Sequence, residues 1–241
     1  MRSPQEGENM AGIQQVKQNR KQPASVALDE LLLGEQDEWL LKSLNTHLES
    51  TQHPQRSGVF YPSSLGNPCN RFLYLAYNGL LERRPLDSTT KRIFDNGSYL
   101  EDRMGEYFRN IGILRETEYV LKWDSPPISG RCDFILTHEK YDRIILELKS
   151  INSRGFTLLK QTPKREHEIQ LQIYLNLLPA EWGTVLYENK NNQKLKAFLI
   201  KRNPTAFEQL LKRCDKIMGM TEVPKTCRGN KWCPCKGVVI K

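Results

Sequence analysis

Three charged residues in two neighbouring apolar segments carry the first chemical signal. In "RIILELKSIN", residues 143–152, Glu147 and Lys149 stand two apart inside an otherwise apolar run, and Asp133 interrupts a similar run in "ISGRCDFILT". Side chains on a strand alternate between faces, so Ile145, Glu147, Lys149 and Ile151 share one face while Leu146, Leu148 and Ser150 take the other. The same rule sets Asp133 beside Ile135, with Cys132, Phe134 and Leu136 opposite. If the turn near residues 137–142 pairs these strands, Asp133 and Glu147 converge with Lys149 beside them. Two carboxylates at one site repel unless a cation lies between them, and hard oxygen ligands suit Mg2+ or Mn2+. Such an ion polarises a phosphodiester and lowers the pKa of a bound water, while a lysine orients that water or steadies developing negative charge. Taken alone, the pattern also fits a solvated face or a surface ion pair that contributes little.

Other residues stand near this chemistry. Gln170 and Tyr174 are four apart on a predicted helix and stack on one face, with His167 three residues earlier close to the same stripe; simple packing explains that face equally well. His167 reads as a surface or supporting residue rather than a ligand. Glu101 shares a predicted helix with Asp95, Asp102 and Glu106, most of which must be solvated. Arg71, Lys91, Arg92, Lys160, Lys164 and Arg165 are candidate phosphate contacts, each individually weak because basic residues are common on any surface. Six cysteines occupy positions 69, 132, 214, 227, 233 and 235, a set that in a reducing compartment means metal binding or buried thiols rather than disulfides. Cys132 and Cys214 read as packing.

The elements that must position these groups follow from periodicity. Residues 63–79 and 88–110 read as helices, the latter with Ile93, Leu100, Met104, Tyr107 and Phe108 inward. Ser63 and Ser64 are candidate N-caps, Pro68 suits a first helical turn, and Asn78-Gly79 a helix stop. "ILRETEYVLKW", "ISGRCDFILT" and "RIILELKSI" read as three strands; residues 165–179 as a helix stopped by Pro179; "GTVLYENK" and "LKAFLIKR" as a hairpin; "TAFEQLLKRCDKIMG" as a last helix. This order predicts an α/β fold with a mixed central sheet flanked by helices. Residues 1–25 are too polar to order themselves, residues 26–57 form an amphipathic helix loosened near Gly34 and a linker, and the compact body occupies 58–241.

The net charge of +8 favours a polyanionic partner. No stretch is long and apolar enough for a membrane span or a secretory signal, so a soluble, cytoplasmic protein is expected.

The chain resembles the PD-(D/E)xK nucleases, and more closely their RecB-like exonuclease branch. "SGRCDF" with "ILELKS" puts Asp133, Glu147 and Lys149 at the signature positions, "QLQIY" matches the family's Q-x-x-x-Y helix, and "GSYLED" resembles the segment that supplies a further ligand, here Glu101. Arg131-Cys132 stands where the strict pattern has proline. The resemblance spans residues 63–237 and implies a restriction-endonuclease-like core and a metal-dependent DNA exonuclease, with an N-terminal helical arm appended. In that scheme Asp133, Glu147 and Glu101 hold Mg2+ or Mn2+, Lys149 orients the nucleophilic water, and Gln170 and Tyr174 position the scissile strand. It also implies a [4Fe-4S] cluster on Cys69, Cys227, Cys233 and Cys235, similar to that of CRISPR-adaptation and AddB-type nucleases, with four-thiolate Zn2+ as the alternative. The tail departs from the family in separating its last two cysteines by a single residue. The expected substrate is single-stranded DNA or DNA with free ends, in viral or prokaryotic recombination, repair or replication, inside a prokaryotic or virus-infected cell. A sequence- or structure-specific endonuclease on the same core is one alternative. A non-catalytic DNA-binding or scaffold module, whose residues 1–57 recruit a replication or recombination protein, is another.

Overall fold

The computed structural model describes residues 38–50, 57–81, 85–227, 233 and 235–236. The expected arm over residues 1–25 lies outside them, as do residues 26–37 and 51–56 of the expected helix and linker. Two compact units divide the chain, Met1–Thr46 and His47–Lys241. Helix α1, Glu38–Ser50, buries none of its residues, and Trp39 is 74% exposed.

The second unit is built on a mixed five-stranded sheet. In chain order its elements are α2 (Pro62–Leu65), α3 (Asn70–Tyr77), α4 (Ser88–Asn110), β1 (Leu114–Trp123), β2 (Ile128–His138), β3 (Asp142–Ile151), α5 (Ser153–Leu158), α6 (Arg165–Leu177), β4 (Trp182–Asn189), β5 (Leu195–Lys201) and α7 (Pro204–Met218). The strands lie in the order β1-β2-β3-β4-β5. Short turns join the antiparallel pairs β1–β2, β2–β3 and β4–β5, whereas β3 and β4 run parallel because α5 and α6 carry the chain back across the sheet. No described helix is long and apolar enough to cross a membrane.

Each face of the sheet is covered by a helix. On one, Leu100, Met104 and Phe108 of α4 meet Phe134, Leu136, Leu146, Leu148 and Leu186. On the other, Leu171, Tyr174 and Leu175 of α6 meet Ile135, Ile145, Val185 and Tyr187. A further cluster joins α3 and α7 through Leu73, Leu75, Phe207 and Ile217, and takes in Cys69, Cys214, Cys233 and Cys235. Helix α2 rests on α6 and β2 because Gly130 presents no side chain: a Cβ there would lie 2.7 Å from Pro62 Cγ and 3.0 Å from Tyr174 Cε1.

Several local expectations are corrected. Ile93 and Tyr107 are about half exposed, at 48% and 51%. The buried apolar cluster on α4 takes in Leu100, Met104 and Phe108 but neither Ile93 nor Tyr107. Helix α2 starts at Pro62 behind Tyr61 rather than at a serine cap. Pro68 stays outside the helices, and Cys69 caps α3, its Sγ accepting the Phe72 N–H at 3.3 Å. Asn78-Gly79 does end α3, with Gly79 at φ 69°.

Candidate active site and thiol cluster

Strands β2 and β3 are paired from His138↔Asp142 to Phe134↔Leu146 and then part company. At that point a side chain replaces the backbone acceptor: Asp133 Oδ2 accepts the Leu148 N–H at 2.6 Å. Opposite Asp133 on β1, Glu118 has φ 50° and the β1–β2 register skips the Glu118–Asp133 pair. Cys132 packs with Ile135, Ile145 and Tyr174, not with Phe134 and Leu136, so the simple alternation expected through Asp133 fails. The thiol itself is fully buried, and burial, with Asp133 and Glu147 adding, pushes it up to about 12, which leaves it an inert packing group.

Glu147, on the α6 side of β3, has no exposed surface. Its Oε1 is ion-paired with Lys149 Nζ, and its Oε2 has no hydrogen-bonding partner among the described residues. Burial pushes the Glu147 carboxyl up, and the neighbouring Asp133 pushes it further. Asp133 is raised by burial as well, against the pull of Lys149 and of the Leu148 N–H. Burial alone would discharge Lys149, but Glu147 and Asp133 outweigh it and keep the ammonium charged. Glu101 comes from α4, the helix on the other face, and is half-buried; burial first and Asp133 second push its carboxyl up to about 7.

Helix α6 closes this pocket. Gln170 and Tyr174 are buried, Gln170 Nε2 donates to Tyr174 Oη at 3.2 Å, and burial first, with Glu147 and Asp133 adding, raises the pKa of the Tyr174 hydroxyl. The structure therefore gathers Asp133, Glu147, Lys149, Gln170 and Tyr174 into one polar pocket in an apolar layer, with Glu101 within electrostatic reach. Three electrostatically coupled acids held above their ordinary pKa beside one ammonium have a use for a divalent cation, and the unpartnered Glu147 oxygen fits one. Their oxygens are not drawn together as tightly as the thiols described below.

The basic candidates scatter. Lys160, Lys164 and Arg165 are exposed around the α5–α6 connection, and Lys91 and Arg92 lie in the first turns of α4. Arg71 is committed elsewhere: its Nη1 donates to Pro224 O at 2.8 Å, fastening α3 to the tail. Two residues with buried polar partners were not legible in the sequence. Tyr187, the register partner of Lys149 on β4, is fully buried and contacts His167; the only signal was a tyrosine in a strand apolar enough to be buried, whose hydroxyl then needs a partner. Arg103 of α4 is paired with the buried Glu188, one residue along β4 from Tyr187, at 2.6 Å in a separate cleft lined also by Tyr99, Ser150 and Lys190, and nothing in the linear pattern joins the two.

Cys69, Cys227, Cys233 and Cys235 bring their sulfurs within 4.8 Å of one another, and they are the one set of three or more ligand-type side chains gathered so closely among the described residues. Cys235 Sγ lies 3.5 Å from both Cys69 Sγ and Cys227 Sγ. Four thiols in a partly buried pocket can bind a metal, either a cluster or a single ion. Cys214 is outside the set, and burial pushes it up to about 12.

No protein-family model matches the chain, and no curated protein does. Solved structures do. The crystal structure of SSO0001 is 21% identical over 84% of this chain and 95% of that one, at a TM-score of 0.49. The phage-related exonuclease from Haemophilus somnus 129PT is 13% identical over 64% and 78%, at 0.44. The alkaline exonuclease LHK-Exo from Laribacter hongkongensis is 13% identical over 73% of this chain and 90% of that one, at 0.50. The likeness to LHK-Exo is one of fold: the chain carries a restriction-endonuclease-like α/β core, a mixed five-stranded sheet flanked by helices.

Proposed function

We propose that this protein is a metal-dependent deoxyribonuclease of the PD-(D/E)xK type, acting as an exonuclease on single-stranded DNA or DNA with free ends in viral or prokaryotic recombination, repair or replication. One observation carries the reading: Glu147 is wholly buried, is ion-paired with Lys149, and keeps one oxygen unpartnered beside Asp133. Burying two carboxylates without use would cost several kcal/mol. The fold shared with a protein named as an alkaline exonuclease supports the same class.

In this proposal Asp133, Glu147 and Glu101 hold Mg2+ or Mn2+. The ion, when bound, supplies a polarised phosphodiester and an acidified water. Lys149, fixed by Glu147, orients the attacking water and faces the charge that develops on the phosphate. The Leu148 N–H keeps one Asp133 oxygen fixed, so the carboxylate is aimed before substrate arrives. Gln170 and Tyr174, joined by the Gln170 Nε2 to Tyr174 Oη hydrogen bond, position the scissile strand. Lys160, Lys164 and Arg165 steer the polyanion to the mouth of the pocket.

The thiol cluster is proposed to hold [4Fe-4S], with Zn2+ as the alternative, tying α3 to the C-terminal tail. Residues 1–57, with the exposed Trp39 and Leu44 of α1, are proposed to recruit a replication or recombination protein.

End-labelled linear and closed circular DNA, single- and double-stranded, digested with Mg2+ or Mn2+, test activity and end requirement together. Degradation of linear single strands with circles intact is expected. Cutting of circles would make the protein an endonuclease, and no cutting of any substrate would leave a DNA-binding module.

A further inference from the structure

The polar stripe on α6 descends from solvent into the pocket: His167 is half-buried, Gln170 is 6% exposed and Tyr174 2%. Tyr187 anchors the top of that stripe. Its hydroxyl oxygen accepts the Lys164 backbone N–H at 3.0 Å and lies 2.7 Å from His167 Nδ1. The strand that carries Tyr187 pairs with β3 so that Tyr187 stands level with Lys149.

These contacts favour one imidazole tautomer. The Lys164 N–H is a donor, so the Tyr187 proton has one acceptor in contact among the described residues, His167 Nδ1. Burial pushes Tyr187 up to about 12, so the hydroxyl keeps that proton. Burial, then Lys149, push His167 down to about 4, so the ring is neutral. A neutral imidazole that accepts at Nδ1 carries its hydrogen on Nε2. Tyr187 thus leaves the histidine with one fixed donor, at the solvent end of the stripe and within electrostatic reach of Lys149. Packing alone would require the Nδ1 contact and nothing of Nε2.

We propose that His167 is a further substrate-binding residue of the nuclease proposed above, on which this inference rests: its Nε2–H donates to a phosphate oxygen of the DNA strand entering beside Lys149. A neutral donor suits the place. It binds the phosphate without adding a positive charge next to carboxylates that must attract a cation.

Two isosteric variants separate this role from a structural one. In His167→Asn the amide oxygen replaces Nδ1 and keeps the Tyr187 contact while the Nε2 donor is lost; in His167→Gln the amide nitrogen reaches the Nε2 position and keeps the donor. Steady-state cleavage of single-stranded oligonucleotides, with melting temperature as the fold control, should show KM raised about tenfold in His167→Asn with kcat within about twofold, and KM within about threefold of wild type in His167→Gln. Oligonucleotides carrying one neutral methylphosphonate at successive positions should reveal one position at which wild type and His167→Asn have the same KM. The inference is overturned if His167→Asn retains the wild-type KM, if His167→Gln is the worse variant, or if no methylphosphonate position removes the difference. Should His167→Asn fail to fold, a tenfold rise of KM in folded His167→Gln overturns it equally. A wild-type protein that cleaves nothing overturns the nuclease reading itself, whereas an active wild type with an indifferent His167→Asn overturns this inference alone.

Discussion

The Leu148 backbone N–H donates to Asp133 Oδ2 at 2.6 Å, one residue beyond the point where the β2–β3 ladder ends at Phe134↔Leu146. A carboxylate thus closes a sheet that has run out of backbone acceptors. The same contact holds Asp133 beside Glu147 on the adjoining position of β3. Charge and hydrogen bonding at Asp133 can therefore be separated by substitution. Asp133→Asn retains an oxygen for Leu148 and loses the charge, so its melting temperature should stay near wild type while any rise on adding Mn2+ disappears. Asp133→Ala leaves a buried N–H without an acceptor and should cost about 1–3 kcal/mol in chemical denaturation. Equal stability of the two variants would show that the contact contributes nothing.

The raised acids give the metal-free protein a definite pH dependence. Glu101 moves from an ordinary value of 4.5 to about 7, and Glu147 and Asp133 also move up. A carboxyl whose folded pKa exceeds its unfolded one binds protons more tightly when folded, so its contribution to stability is complete below the unfolded value and is lost as pH rises through the folded one. His167 runs the other way: its contribution is complete above 6.5 and is lost as pH falls through about 4. Between neutrality and pH 8.5 His167 no longer titrates but Cys235, lowered to about 7, does, so the acid contribution is isolated by comparing wild type with Glu101→Gln. Calorimetry on chelator-treated protein should show the melting temperature falling across that window, less steeply in Glu101→Gln, and the rise produced by Mn2+ growing with pH.

Purified anaerobically, the protein should be brown, with absorbance near 400 nm that Cys69→Ala or Cys233→Ala abolishes and Cys214→Ala leaves intact. Both cluster variants should also melt well below wild type, because the clip between residue 69 and the tail is gone. A colourless protein with one bound zinc would replace the iron-sulfur assignment by the zinc one; a metal-free, colourless and equally stable protein would remove both.

Gly130→Ala should destabilise by about 1–3 kcal/mol, since its methyl would meet Pro62 Cγ at 2.7 Å and the Tyr174 ring at 3.0 Å. Displacement of Tyr174 should lower nuclease activity too, although residue 130 touches no substrate. Wild-type stability in this variant would mean that α2 has room to move.

Much of the fold was legible because its signals are local. Short β-branched runs, Asn78-Gly79 and the apolar stripe of α6 each bury one face, and their order dictates a mixed sheet. The convergence of Asp133 and Glu147 was legible for the same reason: a short hairpin leaves few registers. What escaped depends on distant contacts or irregular backbone. Helix α5 has six residues, one of them Gly155, and rests on the Asn152 side chain accepting the Gly155 N–H at 2.8 Å, so it has no period to read. Cys132 lies on the face that alternation denies it, because regular pairing on both sides of β2 is interrupted at Asp133. Arg71 is committed to Pro224 O, a partner 153 residues away that no local pattern announces. The convergence of Cys69 with the last three cysteines spans most of the chain, and family resemblance rather than spacing pointed to it.

The most direct test compares wild type with Lys149→Ala on end-labelled single-stranded DNA in Mg2+ or Mn2+, with DNA binding measured in parallel by fluorescence anisotropy. Loss of the ammonium paired with Glu147 should lower cleavage by at least about a hundredfold while the dissociation constant changes by less than about threefold. Cleavage by Lys149→Ala at the wild-type rate would contradict the assignment of Asp133, Glu147 and Lys149 as the site of hydrolysis.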